Sequence, residues 1–410
     1  MRTIKYLFIA ALFGGLAVNG GGHPASAGIL VQCPGDTDGS ADWATAGETQ
    51  PPNTKCIHLG AGDGYVTMAD GKVQYMFGFS DLTGLPTRSA DPNNDADVMA
   101  EGTLAAAFPA PPIVLDEGDE LYLTLTNVGM MIRPDLFDPH TVHFHGYPES
   151  SNIFDGLPDS AISINMGASL TYYYKLNDPG TYMYHCHVEA TEHMQMGMLG
   201  SLYVRPAQDG TSFVYNAKTY TKFAYNDGDG STGYDVDYPL QISSFDSAFH
   251  DASESTQPLP FALMEDNYAM LNGRGYPDTI NPDPLPAQDP TNGGKVTQFE
   301  SALITASAGQ KVLLRISNLN VTRNYTLGIL GLPMQVVGKD AKLLRGPSGI
   351  NLYYNTNSIT LGGGESVDAI VEVPADATTG TKYFIYTTNL NYLSNDAEQF
   401  GGMMTEIVVN

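Results

Sequence analysis

Apolar and polar residues alternate along much of the chain in short segments bounded by Gly, Pro, Asn and Asp. Alternation with a period of two turns one side of an extended segment toward a core and the other toward solvent, which is typical of β-strands. Segments with the 3.6-residue period of an amphipathic helix are scarce. The pattern therefore predicts an all-β protein.

Three blocks of sequence recur in the same order, offset by roughly two hundred residues, which is the signature of an internal repeat. The matched blocks are residues 112–127 with 302–318, 167–174 with 364–371, and 179–182 with 379–383. The repeat predicts two tandem Greek-key β-sandwich domains. We expect the first domain to cover residues 28–207 and the second to cover residues 208–410, with the polar stretch 206–212 at their boundary.

The amino terminus and the overall charge limit where the protein works and what it binds. Residues 1–27 combine a basic start, an apolar stretch and a small-residue site at 25–27, which predicts a secretory signal peptide. No later stretch is apolar enough to span a bilayer, so we expect a soluble protein that is secreted or periplasmic. Acidic residues number 45 against 19 basic ones, a net charge of −26 that disfavours binding to nucleic acid.

The three cysteines fit an oxidising compartment. Cys33 and Cys56 lie close together in a region rich in Gly and Asp, and we favour a disulfide between them over two free thiols. Cys186 is then unpaired, and it lies in a segment rich in histidine.

Six of the nine histidines fall in two short segments, residues 140–146 and 185–198. Side chains two residues apart on a strand share a face, whereas an odd separation places them on opposite faces. His143 and His145 therefore point to one side of the first segment, and His140 points to the other.

The second segment shows the same separation by parity. His185 and His187 share a face, and Cys186 between them points the opposite way. His193 and Met198 lie on the loop that follows, with Met196 as an alternative to Met198. Pairing the two strands sorts the side chains into two groups that lie back to back.

Each group has a donor set with its own metal preference. The first group contains two imidazoles, one thiolate and one thioether, from His140, Cys186, His193 and Met198. This is the ligand set of a blue-copper centre. The second group contains four imidazoles, from His143, His145, His185 and His187, and it suits copper or zinc. Because Cys186 is bonded to His185 and His187, we expect these three residues to carry electrons from the first group to the second.

The two segments, HTVHFHG and YHCHVEATEHMQMGM, resemble the copper motifs of the multicopper oxidase family. The resemblance spans most of the chain and implies cupredoxin-like domains, a type 1 copper that oxidises a reductant, and a trinuclear type 2/type 3 cluster that reduces dioxygen. It implies that the first group holds type 1 copper. His143 would serve type 2 copper, and the type 3 pair would be held by His145, His185 and His187. The loop from Cys186 to His193 is two residues longer than is usual in the family.

The second repeat lacks the histidines that this family needs to complete the cluster. The family takes eight, four from each of two cupredoxin domains. Here Tyr325, Gly328 and Leu330 stand where the first segment has histidines, and residues 386–388 or 389–391 stand opposite the second segment. One chain therefore cannot build the cluster. We hypothesise a homo-oligomer in which a second copy supplies the missing half, so that copper is shared between chains.

Two other interpretations stay open. A copper nitrite reductase also joins two cupredoxin domains, but that family has Asp in the place of His143 and no histidine after its cysteine. The other is an electron-transfer or copper-binding protein that uses type 1 copper alone.

The reductant is a small molecule or a metal ion. Acidic residues near the predicted type 1 loop would attract a metal cation: Glu149, Asp155, Asp159, Glu189 and Glu192. A generally acidic surface explains them better, and phenols or aromatic amines remain equally open as reductants.

Overall fold

The computed structural model describes residues 29–87, 94–255, 257–396, 399 and 401–410. The predicted signal peptide, residues 1–27, lies outside the described residues. Cys33 and Cys56 form the favoured disulfide. Within the described ranges, no helix is both long and apolar enough to cross a membrane.

The first domain is a sandwich of two four-stranded sheets. Its strands are β1 (Thr54–Thr67), β2 (Val73–Asp81), β3 (Ala110–Asp116), β4 (Glu120–Gly129), β5 (His143–His145), β6 (Ser169–Lys175), β7 (Gly180–His185) and β8 (Leu199–Arg205). One sheet has the order β2-β1-β4-β6 and the other has the order β3-β8-β7-β5. Alternate residues of both sheets fill a core of Leu, Tyr and Phe side chains, and Cys186 belongs to it.

The second domain has two larger sheets and two short hairpins. Its strands are β9 (Phe213–Tyr215), β10 (Lys218–Tyr220), β11 (Val236–Phe245), β12 (Tyr268–Leu271), β13 (Leu285–Pro286), β14 (Val296–Gln298), β15 (Ile304–Ala306), β16 (Lys311–Asn318), β17 (Tyr325–Ile329), β18 (Met334–Lys339), β19 (Lys342–Leu343), β20 (Tyr354–Thr356), β21 (Ser358–Leu361), β22 (Ser366–Glu372), β23 (Lys382–Thr387) and β24 (Met404–Val409). One sheet has the order β12-β11-β16-β22-β18-β19, with β20 paired to β18. The other has the order β15-β24-β23-β17-β21.

Helices are few and short in the described part of the chain. The α-helices are α1 (Asn94–Gly102), α2 (Ala190–Gln195) and α3 (Ser247–Ser253). Single 3-10 turns cover Asn152–Phe154, Phe261–Leu263, Asp278–Ile280, Pro290–Asn292 and Leu390–Leu393. The all-β prediction is confirmed.

The two domains repeat the same strand pairings. β1 runs parallel to β4 as β11 does to β16, and β3 runs parallel to β8 as β15 does to β24. The antiparallel pairs β4–β6 and β7–β8 match β16–β22 and β23–β24. Gly118 and Gly309 each lie nine residues before the Asn residue that ends a matched block, Asn127 or Asn318, and both have positive φ, which glycine adopts at little cost. The predicted pair of β-sandwiches is therefore present.

The strand register decides which residues of the second domain correspond to the histidine segments. His143 lies opposite His185 in the pair β5–β7, and Gly328 lies opposite Tyr386 in the pair β17–β23. Of the two alignments that the sequence allows, the structure therefore selects residues 386–388.

A buried polar network ties β7 to the second domain. The Thr181 hydroxyl donates to Asp368 Oδ1 at 2.6 Å, and the Ser366 hydroxyl donates to the Thr181 carbonyl at 2.7 Å. Arg315 Nη1 lies 3.8 Å from Asp368 Oδ1, and the side chains of both residues are almost fully buried. The strand that leads to His185 and Cys186 is thus fixed at its start by the second domain.

Candidate metal centres

The thiol of Cys186 lies beside two imidazole nitrogens. Cys186 Sγ is 3.2 Å from His193 Nδ1 and 3.8 Å from His140 Nδ1. All three residues have no exposed side-chain surface. A sulfur and a nitrogen that bind one metal lie about 3.6–3.8 Å apart, from bond lengths of about 2.3 and 2.0–2.1 Å. The distance to His140 lies in this range and the distance to His193 is about 0.4 Å shorter, so the donor set fits a type 1 copper ion after a small shift of the His193 ring.

The chain around Cys186 folds back to bring these ligands together. Helix α2 carries His193, so the long loop that follows Cys186 is partly helical. Met198 N donates to the His193 carbonyl at 2.9 Å, and Cys186 N donates to the Met198 carbonyl at 3.1 Å. Met196 and Met198 are both fully buried in the core cluster that contains Cys186. Both residues stay candidates for the fourth ligand, and the backbone hydrogen bonds of Met198 to His193 and Cys186 favour Met198.

Burial sets the protonation states of Cys186, His140 and His193, which we call the thiolate group. It raises the pKa of the Cys186 thiol to about 11 and lowers the pKa of His193 to about 3. Burial also lowers the pKa of His140 well below its usual value. The imidazoles are consequently neutral and able to bind a metal, whereas the thiol loses its proton when the metal binds.

The four remaining imidazoles cluster on the other side of the same strands. The His143 ring centroid lies 5.2 Å from that of His185, 5.1 Å from that of His187 and 5.7 Å from that of His145. His145 Nδ1 lies 3.2 Å from His185 Nε2. The structure thus brings together all four histidines that the sequence assigned to the second group.

Backbone carbonyls orient two of these rings. His143 Nδ1 donates to the Asp155 carbonyl at 2.6 Å, and His185 Nδ1 donates to the Cys186 carbonyl at 2.8 Å. In a neutral imidazole the other ring nitrogen then carries the free lone pair. Burial lowers the pKa of His185 to about 3, so that ring is neutral at physiological pH. The hydrogen bond from His185 to the Cys186 carbonyl also links the imidazole cluster directly to the thiolate group.

The imidazole cluster faces the second domain of the same chain across a cavity of about 390 Å³. His145, His185 and His187 line one side, and residues 319–324 with Gly363 and Gly364 line the other. A Cβ atom added to Gly364 would lie 2.6 Å from His145 Nε2. This opposite wall contains no histidine, cysteine or carboxylate. The residues of one chain therefore do not fit a trinuclear copper cluster.

The acidic residues named from the sequence do not form one patch. Glu192 is buried, and burial together with Asp138 and Glu189 raises its pKa to about 7. Asp155 instead orients His143, and Glu149 accepts a hydrogen bond from Asn177. Asp159 and Glu189 are exposed.

Sequence reasoning missed Asp138, whose Oδ2 lies 3.9 Å from His193 Nε2. Its position two residues before His140, on the same side of an extended segment, was an available signal.

The two other described histidines have structural partners. His58 Nε2 lies 2.7 Å from the Thr126 hydroxyl, and the nitrogens of His250 lie against the backbone carbonyls of Tyr75 and Gln195. Neither belongs to a group of potential metal ligands among the described residues.

Two cupredoxin-like sandwiches with a buried Cys-His-His group define the class as a cupredoxin-fold copper protein. Family models described as multicopper oxidase match residues 91–209 and residues 246–409. The chain belongs to the multicopper oxidase family, whose members are copper-dependent oxidoreductases.

Curated relatives include oxidases much longer than this chain. Laccase 1 of Metarhizium acridum is 34% identical over 106 residues, which cover 25% of this chain and 16% of the laccase. Dihydrogeodin oxidase of Aspergillus terreus is 26% identical over 290 residues, which cover 68% of this chain and 39% of that oxidase. The chain thus spans well under half the length of these relatives.

Solved structures share the fold over most of their length. A blue copper oxidase from Nitrosomonas europaea has a TM-score of 0.60 at 21% identity, covering 87% of this chain and 86% of the other. A copper nitrite reductase from the same organism has a TM-score of 0.55 at 15% identity, covering 87% and 94%. At these identities the likeness concerns the fold alone.

Proposed function

We propose that the protein is a laccase-like multicopper oxidase that is secreted or periplasmic. Its activity would be the one-electron oxidation of a reductant coupled to the reduction of dioxygen. Copper held by His140, Cys186, His193 and Met198, together with copper held by the imidazole cluster, would supply this one-electron redox chemistry. The observation that carries the proposal is the buried thiol of Cys186, which lies between two Nδ1 atoms. Peptide bonds join Cys186 directly to His185 and His187 of the imidazole cluster.

The chain prepares both groups for this work. Burial excludes water from the thiolate group, and Thr141 N contacts Cys186 Sγ at 3.5 Å, which helps to hold the sulfur in place. The peptide bonds from Cys186 to His185 and His187 provide a short covalent path for electrons.

The reductant is proposed to be a metal cation or a neutral aromatic molecule, and the acidic side chains near His193 distinguish the two. Replacing Glu189 and Glu192 by Gln is expected to raise the KM for iron(II) and to leave the KM for a neutral phenol unchanged. Asp376→Asn, at an exposed position of the second domain, is the matched control. Equal effects on both reductants would contradict electrostatic steering.

The sequence-based hypothesis of a shared cluster belongs to this proposal. Two copies would contribute four imidazoles each, and a pair would bind about five copper ions. Because residues 319–324 and Gly364 already lie over the cluster, a second copy has to approach beside this wall or displace it. Sedimentation equilibrium with copper analysis tests the hypothesis, and an active, copper-loaded monomer would contradict it.

A copper nitrite reductase is the second candidate. It is favoured by one observation: His143, His145 and His185 each offer a ligand atom within 4.8 Å of the others, which suits a single metal ion. Measuring oxygen uptake and nitrite reduction on one copper-loaded sample decides between the two. Oxygen uptake without nitrite reduction is the expected result, whereas nitrite reduction alone would overturn the oxidase proposal. A blue protein that turns over neither substrate would indicate electron transfer or copper binding alone.

A further inference from the structure

We propose that a cavity between the two domains binds a small organic cation that carries an aromatic ring. The cavity has a volume of about 510 Å³, within the range of roughly 300–1,000 Å³ that is usual for small-molecule sites. The first domain contributes the end of β2 and the chain between α1 and β3, and the second contributes residues between 295 and 300. Phe108 N donates to the Thr297 carbonyl at 2.7 Å, so a backbone hydrogen bond holds the two sides together. No residue of the thiolate group or the imidazole cluster lines this cavity, and the proposal does not depend on the copper chemistry.

The walls of the cavity are mainly apolar. Pro109, Pro111 and Pro112 line the side of the first domain, and Phe299 lines the side of the second. Phe299 keeps 49% of its surface exposed, so its ring offers an apolar face that a ligand would cover. The face of an aromatic ring also attracts a cation held within about 6 Å of its centre. The walls therefore suit a ligand that joins a ring to a positive charge.

The charged groups of the cavity are mainly carboxylates. Asp81, Glu101 and Glu300 line it, together with one basic side chain, Lys295. The Lys295 ammonium is already occupied, because it donates to the backbone carbonyls of Glu101 and Thr103 at 2.7 and 2.8 Å. The cavity consequently keeps an excess of negative charge, which favours a cation over an anion.

Glu300 is the carboxylate that would gain most from a cationic ligand. Burial raises its pKa, and the charge of Arg274 opposes this rise. Arg274 Nη1 and Nη2 each donate to two backbone carbonyls, so these four hydrogen bonds do not reach the Glu300 carboxylate. An ammonium group of a ligand beside Glu300 would therefore offset the cost of burying its charge.

Calorimetric titration of the copper-loaded full chain at physiological salt tests the proposal. The probe is benzyltrimethylammonium, which combines a ring with a permanent positive charge. Tetramethylammonium lacks the ring, and benzenesulfonate carries the opposite charge. We expect one benzyltrimethylammonium per chain, bound at least about tenfold more tightly than either comparison probe. Equal binding of tetramethylammonium, or several weak sites per chain, would overturn the proposal, because the acidic surface alone would then explain the binding.

Three variants locate the binding site in this cavity. Glu300→Gln is expected to weaken benzyltrimethylammonium by about tenfold, because it removes one partly screened ion pair. Phe299→Ala is expected to weaken it by about 2–5-fold through the loss of a contact between cation and ring. Ala105→Phe fills the cavity without changing its charge and is expected to abolish binding.

Two exposed positions outside the cavity provide matched controls. Phe261 keeps 46% of its surface exposed, close to the value for Phe299, and Asp376 is an exposed acid of the second domain. Phe261→Ala and Asp376→Asn are expected to bind the probe as the parent does, and thermal unfolding checks that every variant is folded. Parent-like binding in folded Glu300→Gln, or equal weakening in the controls, would overturn the proposal. Blue absorption measured on the same samples tests the proposed oxidase function separately.

Discussion

Corresponding strand pairs of the two domains carry different side chains, and only the pair in the first domain has metal-binding ones. In the first domain, β5 and β7 carry imidazoles toward a cavity. In the second, β17 and β23 have the same register, and the corresponding face borders a cavity of about 560 Å³. The side chains at the places of the four histidines are Gly328, Leu330, Tyr386 and Thr388. The comparison shows that the cupredoxin fold supplies the positions, while the side chains alone decide whether a metal can bind.

The domains also differ in how they neutralise buried polar groups. In the first domain, the Cys186 thiol lies beside His140 Nδ1 and His193 Nδ1, and its contacts among the described residues include no lysine or arginine side chain. In the second domain, Arg315 pairs with Asp237 and Asp368. The first domain therefore leaves its buried ligand atoms available to a metal cation. The second domain instead neutralises its buried carboxylates with the guanidinium of Arg315.

Removing the thiol is expected to have the largest effect. In Cys186→Ser the softer sulfur donor is replaced by an alcohol, so the blue absorption should vanish. Copper affinity at this group should fall by more than about 100-fold, because losing even a ligand's supporting partner costs 10–100-fold. Absorption spectra and equilibrium dialysis measure both changes.

The second domain offers a matched control for that substitution. Thr387 follows Tyr386 as Cys186 follows His185, and it is also fully buried. Thr387→Ser is expected to leave the spectrum and the copper content unchanged. A blue band that survives in Cys186→Ser would show that the thiolate group has been wrongly assigned.

Parity along the chain was sufficient to predict the two back-to-back groups. Side-chain direction on an extended segment depends only on local geometry, so His143 and His145 could be separated from His140 without a structure. The regular strands are shorter than the parity argument assumed, since β5 begins at His143 and β7 ends at His185. His140 keeps its direction through an isolated bridge to Ile164.

The wall opposite the imidazoles could not be predicted in the same way. Gly364 is 219 residues from His145 in the numbering, and its contact depends on how two domains pack. Packing of this kind is set by many side chains together and has no short motif. The network of Arg315 and Asp368 was missed for the same reason, because its hydroxyl partner, Thr181, belongs to the other domain.

Breaking the second domain's internal ion pair is expected to have the next largest effect. Asp368→Ala leaves the Arg315 guanidinium buried with fewer partners, which should lower the free energy of unfolding by about 3 kcal/mol. Chemical denaturation of the copper-free protein measures it. Asp376→Ala, at an exposed position, is expected to change stability by less than about 0.5 kcal/mol. Similar stability of the two variants would show that the network contributes little.

The smallest expected effect concerns a buried acid beside the thiolate group. Burial and neighbouring carboxylates raise the pKa of Glu192 from 4.5 to about 7, so the folded protein binds a proton here more tightly than the unfolded chain does. Its contribution to stability is complete below about pH 4.5 and is lost as the pH rises through 7.

Glu192→Gln removes this pH-dependent loss of stability, because glutamine does not ionise. The variant should therefore gain about 1–2 kcal/mol relative to the parent between pH 5 and pH 8, since one pKa unit is about 1.4 kcal/mol and residual solvent screening reduces the total. Urea unfolding of the copper-free proteins at both pH values measures the difference, with Asp376→Asn, at an exposed position of the second domain, as the control. If the free energies of unfolding of parent and variant differ by the same amount at both pH values, Glu192 is ionised in the folded protein throughout this range. The electrostatic difference between the two domains would then not include this carboxyl group.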